Sequence, residues 1–285
     1  MKLKLILPVI CLTVLCGHAG FSQSDTSKAV KFDEFGDIQY SDLIARLDNF
    51  ALELQNRPDA RGFIMVYRSR RDLPGLNNRL ANRIRNYMTY TRGVSAERVV
   101  TIDGGEVGCL SQELWIVPSG TTPTARGDAY SRNLVDIEST RKFDEYHYSR
   151  ADDSNMDGDG SVESGDSLEA FGEALRKEPR AEAHIIVYPQ YYIERWDETL
   201  SNDGVEGKTI KHKRLHHDSR GIALQVMREV QSDLVHKYHI AANRIKVVNG
   251  GYRKLRYVEL WIVPRGEHAP IPTPNAFPKK GSARH

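Results

Sequence analysis

Apolar residues follow two rhythms along this chain, one with helical spacing and one with strand spacing. Leu43, Leu47, Phe50 and Leu54 recur three or four apart on one helical face, and Pro58 ends that helix because it has no amide hydrogen to donate. Phe63–Tyr67 is a short continuous apolar run, suited to a buried strand. Leu76, Leu80, Ile84 and Met88 predict a second helix. Arg98–Ile102 and Glu113–Val117 predict two further strands, joined by a turn at Gly104-Gly105.

The same order then returns. Lys31-Phe32-Asp33-Glu34-Phe35 reappears as Lys142-Phe143-Asp144-Glu145-Tyr146, a shift of 111 residues, and Pro58 through Tyr67 reappears as Pro179 through Tyr188, a shift of 121. Val94–Val99, Gly104-Gly105 and the hexapeptide Glu113–Pro118 return at a shift of 146 as Ile240–Ile245, Gly250-Gly251 and Glu259–Pro264. The helical stripes are kept as Leu168, Phe171 and Leu175, then Ile222, Val226, Val230 and Leu234. Chance does not preserve order, spacing and a Trp-centred hexapeptide together, so this is a duplication. The widening shift places 10 extra residues before the first helix of copy two and 25 between its second strand and second helix.

The expected class is α+β: two tandem open-sandwich domains, each β-α-β-α-β-β with helices on one face of a mixed sheet. The copies occupy residues 31–118 and 142–264, with a linker over 119–141 and a Pro-rich, basic tail over 265–285 that is expected to be flexible or extended.

Lys2 and Lys4, the apolar run Leu5–Leu15 and the small or polar stretch Gly17–Ser22 read as a secretory signal peptide over residues 1–22. That run is shorter than the roughly 20 residues a spanning helix needs, so no transmembrane segment is expected in the mature chain. An exported, periplasmic or extracellular protein follows. Cys16 raises lipidation, but bulky Leu15 precedes it where lipoprotein signals resemble each other in carrying a small residue. After cleavage Cys109 alone remains, expected as a small buried hydrophobe. The formal charge is +2, and losing Lys2 and Lys4 removes it, so the mature chain has no global electrostatic footprint for nucleic acid.

Several short motifs resemble the OmpA-like domain, the periplasmic module of peptidoglycan-associated lipoproteins and outer-membrane protein A relatives. Arg79-Leu80-Ala81, Ile84 and Tyr87-Met88 resemble its second helix, written Arg-Arg-Ala-x-x-Val-x-x-Tyr-Leu. Val94 through Gly105 resembles its Gly-Ile…Arg-Ile…Gly segment, and Arg256-Tyr257-Val258-Glu259-Leu260 its closing Arg-Arg-Val-Glu strand. The resemblance covers most of each copy in element order. The family clamps the carboxylate and amine of a peptidoglycan peptide with the second Arg of its Arg-Arg pair and an Asp. A guanidinium suits this because its fork binds a carboxylate bidentately. In this chain Leu80 stands at that position, Ile84 one turn on, and Val226 and Val230 in copy two. All four are apolar, so the resemblance implies the scaffold and compartment with the clamp lost. Asp72, Arg79 and Arg83 are the charged candidates near the vacated position.

Copy two offers other candidates in its insertions. Asp153, Asn155, Asp157 and Asp159 alternate like calcium-loop ligands, with Gly158 at the sixth position but Ser164 where such loops need a bidentate Glu. Calcium is the only cofactor suggested, and a solvated acidic loop is the alternative. His212, His216, His217 and Asp218 cluster in the longer insertion among Lys211, Lys213 and Arg214, which oppose a bound cation, so a solvated loop is expected there. Tyr191, Tyr192 and Trp196 beside it form either an aromatic binding surface or packing for the insertion.

No nucleophile elbow, zinc-binding His pair or phosphate loop is present, so an enzyme is not expected. The expectation is a non-catalytic cell-envelope binding or scaffolding protein whose partner is a cell-wall component or envelope protein. An interaction subunit of a larger assembly is the alternative, and an envelope-polymer hydrolase ranks last.

Overall fold

Both apolar rhythms become buried faces. The computed structural model describes residues 28–130, 139–148, 159–202 and 205–278, with backbone alone at 159–163, 199–202 and 205–208. The first half contains β1 (Val30–Phe35), α1 (Tyr40–Asn56), β2 (Ala60–Ser69), α2 (Leu76–Asn86), β3 (Val99–Val107) and β4 (Ser111–Pro118). The second contains β5 (Arg141–His147), α3 (Asp159–Lys177), β6 (Glu182–Tyr188), β7 (Tyr191–Asn202), β8 (Val205–His217), α4 (Arg220–Ser232), β9 (Ile245–Asn249) and β10 (Tyr257–Val263). Both α2 and α4 continue into a single π-helical turn, at Tyr87–Thr91 and Asp233–Lys237.

The two four-stranded sheets have matching orders, β1-β4-β2-β3 and β5-β10-β6-β9. In each the strands flanking the second helix are parallel and the other pairs antiparallel, which gives the expected mixed α+β sheet. Leu47, Phe50, Leu54 and Ile84 are fully buried with Ile64 and Leu114, while Phe171, Leu175 and Leu234 pack with Ile185 and Leu260 in the second half. No helix among the described residues is long and apolar enough to cross a membrane.

The opposite sheet faces hold a polar feature that is also repeated. Glu113 is fully buried there; its carboxylate accepts from Lys31 Nζ at 2.7 Å and Trp115 Nε1 at 2.8 Å. Glu259 accepts from Lys142 Nζ at 2.8 Å, Arg253 at 2.8 Å, Trp261 Nε1 at 3.0 Å and the Tyr188 hydroxyl at 3.1 Å. The Trp of each hexapeptide therefore serves as a donor to a carboxylate two residues before it. A buried carboxylate without such donors would be strongly destabilising.

Gly104-Gly105 is not the turn that its composition suggests. β3 runs through it, and the turn falls after Val107. The register with β2 slips between Asp103 and Gly105, and a Cβ on Gly104 would sit 2.4 Å from the Tyr67 ring. Gly250 stands equally close to Tyr188, and the glycines that follow adopt φ of 87° and 83°. The pair exists to admit a tyrosine ring against the backbone.

The segments after the hexapeptides are also not free. Residues 119–130 return across the first sheet, where Tyr130 and Glu106 exchange backbone hydrogen bonds of 2.8 and 2.9 Å. The tail does the same in the second half: Ala276 N donates to Tyr252 O at 3.1 Å, and Thr273 Oγ1 accepts from Arg253 at 2.6 Å. Glu106 and Tyr130 become Tyr252 and Ala276 under one shift of 146, so the returning strap belongs to the repeat. The described part of the tail is thus extended, the second of the two alternatives expected for it, and its backbone bonds anchor it.

Burial pushes the Glu259 carboxyl up, but bonds from Lys142, Arg253 and Trp261 outweigh it and hold the group below its ordinary value of 4.5. A depressed carboxylate stabilises the fold above its unfolded value, and that contribution is lost as pH falls through the folded one. Glu259→Gln should therefore be less stable than wild type by about 3–5 kcal/mol near pH 7, with a gap that narrows as the pH drops below about 4. Urea unfolding across that range measures the gap.

Candidate functional site

Three places gather the charged and aromatic candidates: the contact between the halves, and the ends of the two sheets where the parallel strands terminate.

Leu80, Ile84, Val226 and Val230 belong to the core. Ile84 is fully buried, Val230 is 4% exposed, and Leu80 and Val226 pack against the same clusters. Arg79 and Arg83, one turn apart on the other side of α2, reach into the second half. Arg79 Nε lies 3.0 Å from Asp144 Oδ2, and Arg83 Nε lies 3.5 Å from Asp166 Oδ2. Arg85 pairs with Glu169 at 2.7 Å, and Asn86 donates to Asp166 at 3.0 Å. Gly75, before α2, donates its N–H to Phe143 O at 2.7 Å, and a Cβ there would meet the Phe143 ring at 2.5 Å. Arg79 and Arg83 thus pair across the contact between the halves.

Comparing equivalent positions explains the choice of partners. Asp33 of copy one takes Arg46 of its own helix, with contacts of 2.7 and 2.9 Å. The equivalent of Arg46 in copy two is Ser167. Asp144 is fully buried, has lost its internal arginine, and receives Arg79 from copy one instead. Burial raises the Asp166 carboxyl above its usual range, opposed by Asn86 and Arg83.

At the sheet ends one aspartate is repeated. Ser69 N donates to Asp72 Oδ2 at 2.8 Å, and Asp72 N to Ser69 O at 3.1 Å. In copy two Gln190 N donates to Asp218 Oδ2 at 2.8 Å, and Asp218 N to Gln190 O at 3.0 Å. The same clasp therefore closes a two-residue loop in one half and the whole β7–β8 insertion in the other. Asp218 is 2% exposed and is gripped by Arg256 through two contacts of 2.8 Å. Leu110 occupies the position of Arg256 in copy one, and no described residue forms an ion pair with Asp72 there. Asp72 instead lines an open cleft of about 820 Å³ together with Arg70, Arg71, Asp128, Cys109 and Tyr130. Ends of parallel strands are where α/β sheets commonly receive ligands. Cys109 is exposed in the turn before β4, which corrects its expected burial.

The longer insertion is an antiparallel ribbon, not a solvated loop. Tyr191 pairs with His217, Tyr192 with His216 and Trp196 with His212 along the β7–β8 ladder. Tyr191 is buried at the base, edge-on to His217 and Tyr252. Beyond it Tyr192 stacks on His216 at 4.3 Å and 6°, and Trp196 on His212 at 5.0 Å and 11°. Glu194 and Glu198 on the same face pair with His216 at 2.9 Å and His212 at 2.8 Å. An isolated two-stranded ribbon is marginal in water, so these cross-strand stacks contribute directly to its persistence. Trp196 is still 44% exposed, and Ile193 and Leu215 stand exposed on the opposite face.

Among the described residues no three His, Cys, Asp or Glu side chains converge as a metal site, so the histidine cluster is spread along a strand. Asp153, Asn155 and Asp157 lie outside the described residues, and Asp159 begins α3, where the backbone alone is described. Asp218 and Arg256 carried a readable signal: Asp218 is Asp72 at the shift of 146. Compared with models of known protein families and with curated proteins, the chain matches none.

The two aspartates should differ in energetic weight. Asp218→Ala removes both of its bonds to the largely buried Arg256 and should cost about 3–5 kcal/mol. Asp72→Ala removes one partly exposed charge-assisted bond and should cost about 1.5 kcal/mol. Chemical denaturation of both variants measures this, and equal losses would contradict the assignment.

Proposed function

We propose that this chain is a non-catalytic cell-envelope binding or scaffolding protein of OmpA-like type, exported to the periplasm or beyond, which has lost the family's peptide clamp. The observation that carries this reading is the difference between two equivalent sheet ends. One clasped aspartate frames an open charged cleft in the first half and roots a projecting ribbon in the second. With Arg79 and Arg83 committed between the halves, the exposed aromatic face of the ribbon is the surface best suited to a partner.

Aromatic side chains that are already ordered lose little entropy on binding and supply large contact areas, which is why they dominate interaction hot spots. Tyr192 and Trp196 fit that description because His216 and His212 hold them flat. The open edges of the ribbon favour an envelope protein as the partner, since a strand edge offers unpaired backbone groups. A wall polymer held against the aromatic face is the second possibility.

The test is co-sedimentation of the mature chain with purified peptidoglycan, alongside capture from solubilised envelope proteins. Wild type should bind one of the two, and a Tyr192→Ala/Trp196→Ala variant should lose at least about tenfold of that binding, in the range of hot-spot truncations. Full binding by the variant would remove the ribbon from the account, and no binding by wild type would remove the function.

A further inference from the structure

The β7–β8 ribbon has a second side, and the residues on it are of a different kind. Successive residues of a strand point to opposite sides of a sheet, and residues directly opposite each other share a side. The register is unbroken from Tyr191 to Leu200, so Glu194 and Glu198 stand on the side of the Tyr192–His216 and Trp196–His212 stacks. Ile193, Arg195 and Asp197 stand on the other side, opposite Leu215, Lys213 and Lys211. The two strands pack mainly on each other, so this second side is open to solvent beyond the buried Tyr191.

Charge is sorted between the two sides. On the aromatic side each glutamate has a histidine, Glu194 with His216 and Glu198 with His212. On the other side Arg195, Lys211 and Lys213 are exposed, and no described residue forms an ion pair with any of them. Asp197 is the one acid among the described side chains there. Nearer the base, Ile193 and Leu215 form an apolar rung that is 38% and 47% exposed. From that rung to Lys211 the patch runs roughly 14 Å along the ribbon. Long aliphatic stems that end in cations, beside exposed aliphatic side chains, suit a surface with phosphate outermost and hydrocarbon beneath it. A nucleic-acid duplex would take the cations but set Ile193 and Leu215 against phosphates, and the net charge of only +2 gives the chain little attraction to one.

We propose that this side of the ribbon docks on the surface of an anionic lipid bilayer. Arg195, Lys211 and Lys213 meet the headgroup phosphates, and Ile193 and Leu215 sink to the boundary with the acyl chains. The charge complementarity selects this occupant, and the apolar rung separates it from other polyanions. The contact goes beyond the partner proposed for the aromatic side and does not depend on it. A ribbon lying on a bilayer by its cationic side turns Tyr192 and Trp196 away from the lipid, so both sides can be occupied together.

The experiment co-sediments the purified protein at about 0.1 M salt with vesicles of phosphatidylcholine alone and of phosphatidylcholine mixed with phosphatidylglycerol. Each cation near an anionic bilayer strengthens binding by roughly fivefold, so the mixed vesicles should bind at least about tenfold more tightly than the neutral ones. Lys211→Gln/Lys213→Gln should lose at least about tenfold of that binding, and Ile193→Ser/Leu215→Ser about fivefold or more. Arg214→Gln removes a cation from the aromatic side of the same ribbon and should bind within about threefold of wild type. All of these side chains are exposed, so the variants should fold normally. Equal binding to both vesicles, or wild-type binding by the double lysine variant, would overturn the proposal. So would an Arg214→Gln loss as large as that of the two lysines, because charge alone and not its side would then matter. Unchanged binding by Ile193→Ser/Leu215→Ser, or tighter binding to a double-stranded oligonucleotide than to the mixed vesicles, would replace the bilayer with another polyanion.

Discussion

The contact between Arg79 of the first half and Asp144 of the second organises this molecule. Asp144 is sealed from solvent, and a carboxylate in that position requires a cation. The equivalent Asp33 is only partly buried and pairs with Arg46 of its own half, whereas copy two has Ser167 in the place of that arginine. The second half therefore depends on the first for charge compensation. Gly75 adds a steric condition by letting the start of α2 lie directly on Phe143. The equivalent helix α4 carries Gln225 and Glu229 where α2 has Arg79 and Arg83, so it has no matching arginines to offer a third unit.

This arrangement decides where binding chemistry can be. Helix α2 faces the other half with its arginines and the core with its apolar stripe. Surface remains at the sheet ends, and there the two copies have diverged around one conserved backbone clasp. Asp218, fixed by Arg256, anchors a ribbon, while Asp72, without that arginine, borders a cleft. An insertion is tolerated between the two sides of such a clasp because the loop ends stay hydrogen-bonded whatever lies between them.

Much of the fold was legible in the sequence. Leu43, Leu47, Phe50 and Leu54 bury as their spacing implies, and the duplicated order of elements is the order observed. The straps after the hexapeptides were hidden because they repeat backbone pairing and not side chains: Glu106 with Tyr130 becomes Tyr252 with Ala276. The ribbon was hidden because charged residues occupy both of its faces, which erases the alternation that marks a half-buried strand. The role of Arg79 and Arg83 could not be read from one copy alone. The signal lay in a comparison across copies, Arg46 against Ser167, which marks an acid whose copy-one arginine is replaced.

A double-mutant cycle between Arg79→Leu and Asp144→Leu, followed by equilibrium unfolding of the purified protein, addresses this interlock most directly. If the halves are joined by this pair, each single change costs about 3–5 kcal/mol and the double change costs less than their sum, leaving a coupling of about 1–3 kcal/mol. Losses that add to within about 0.5 kcal/mol would show that the two side chains act independently and that the arginine is free for another purpose.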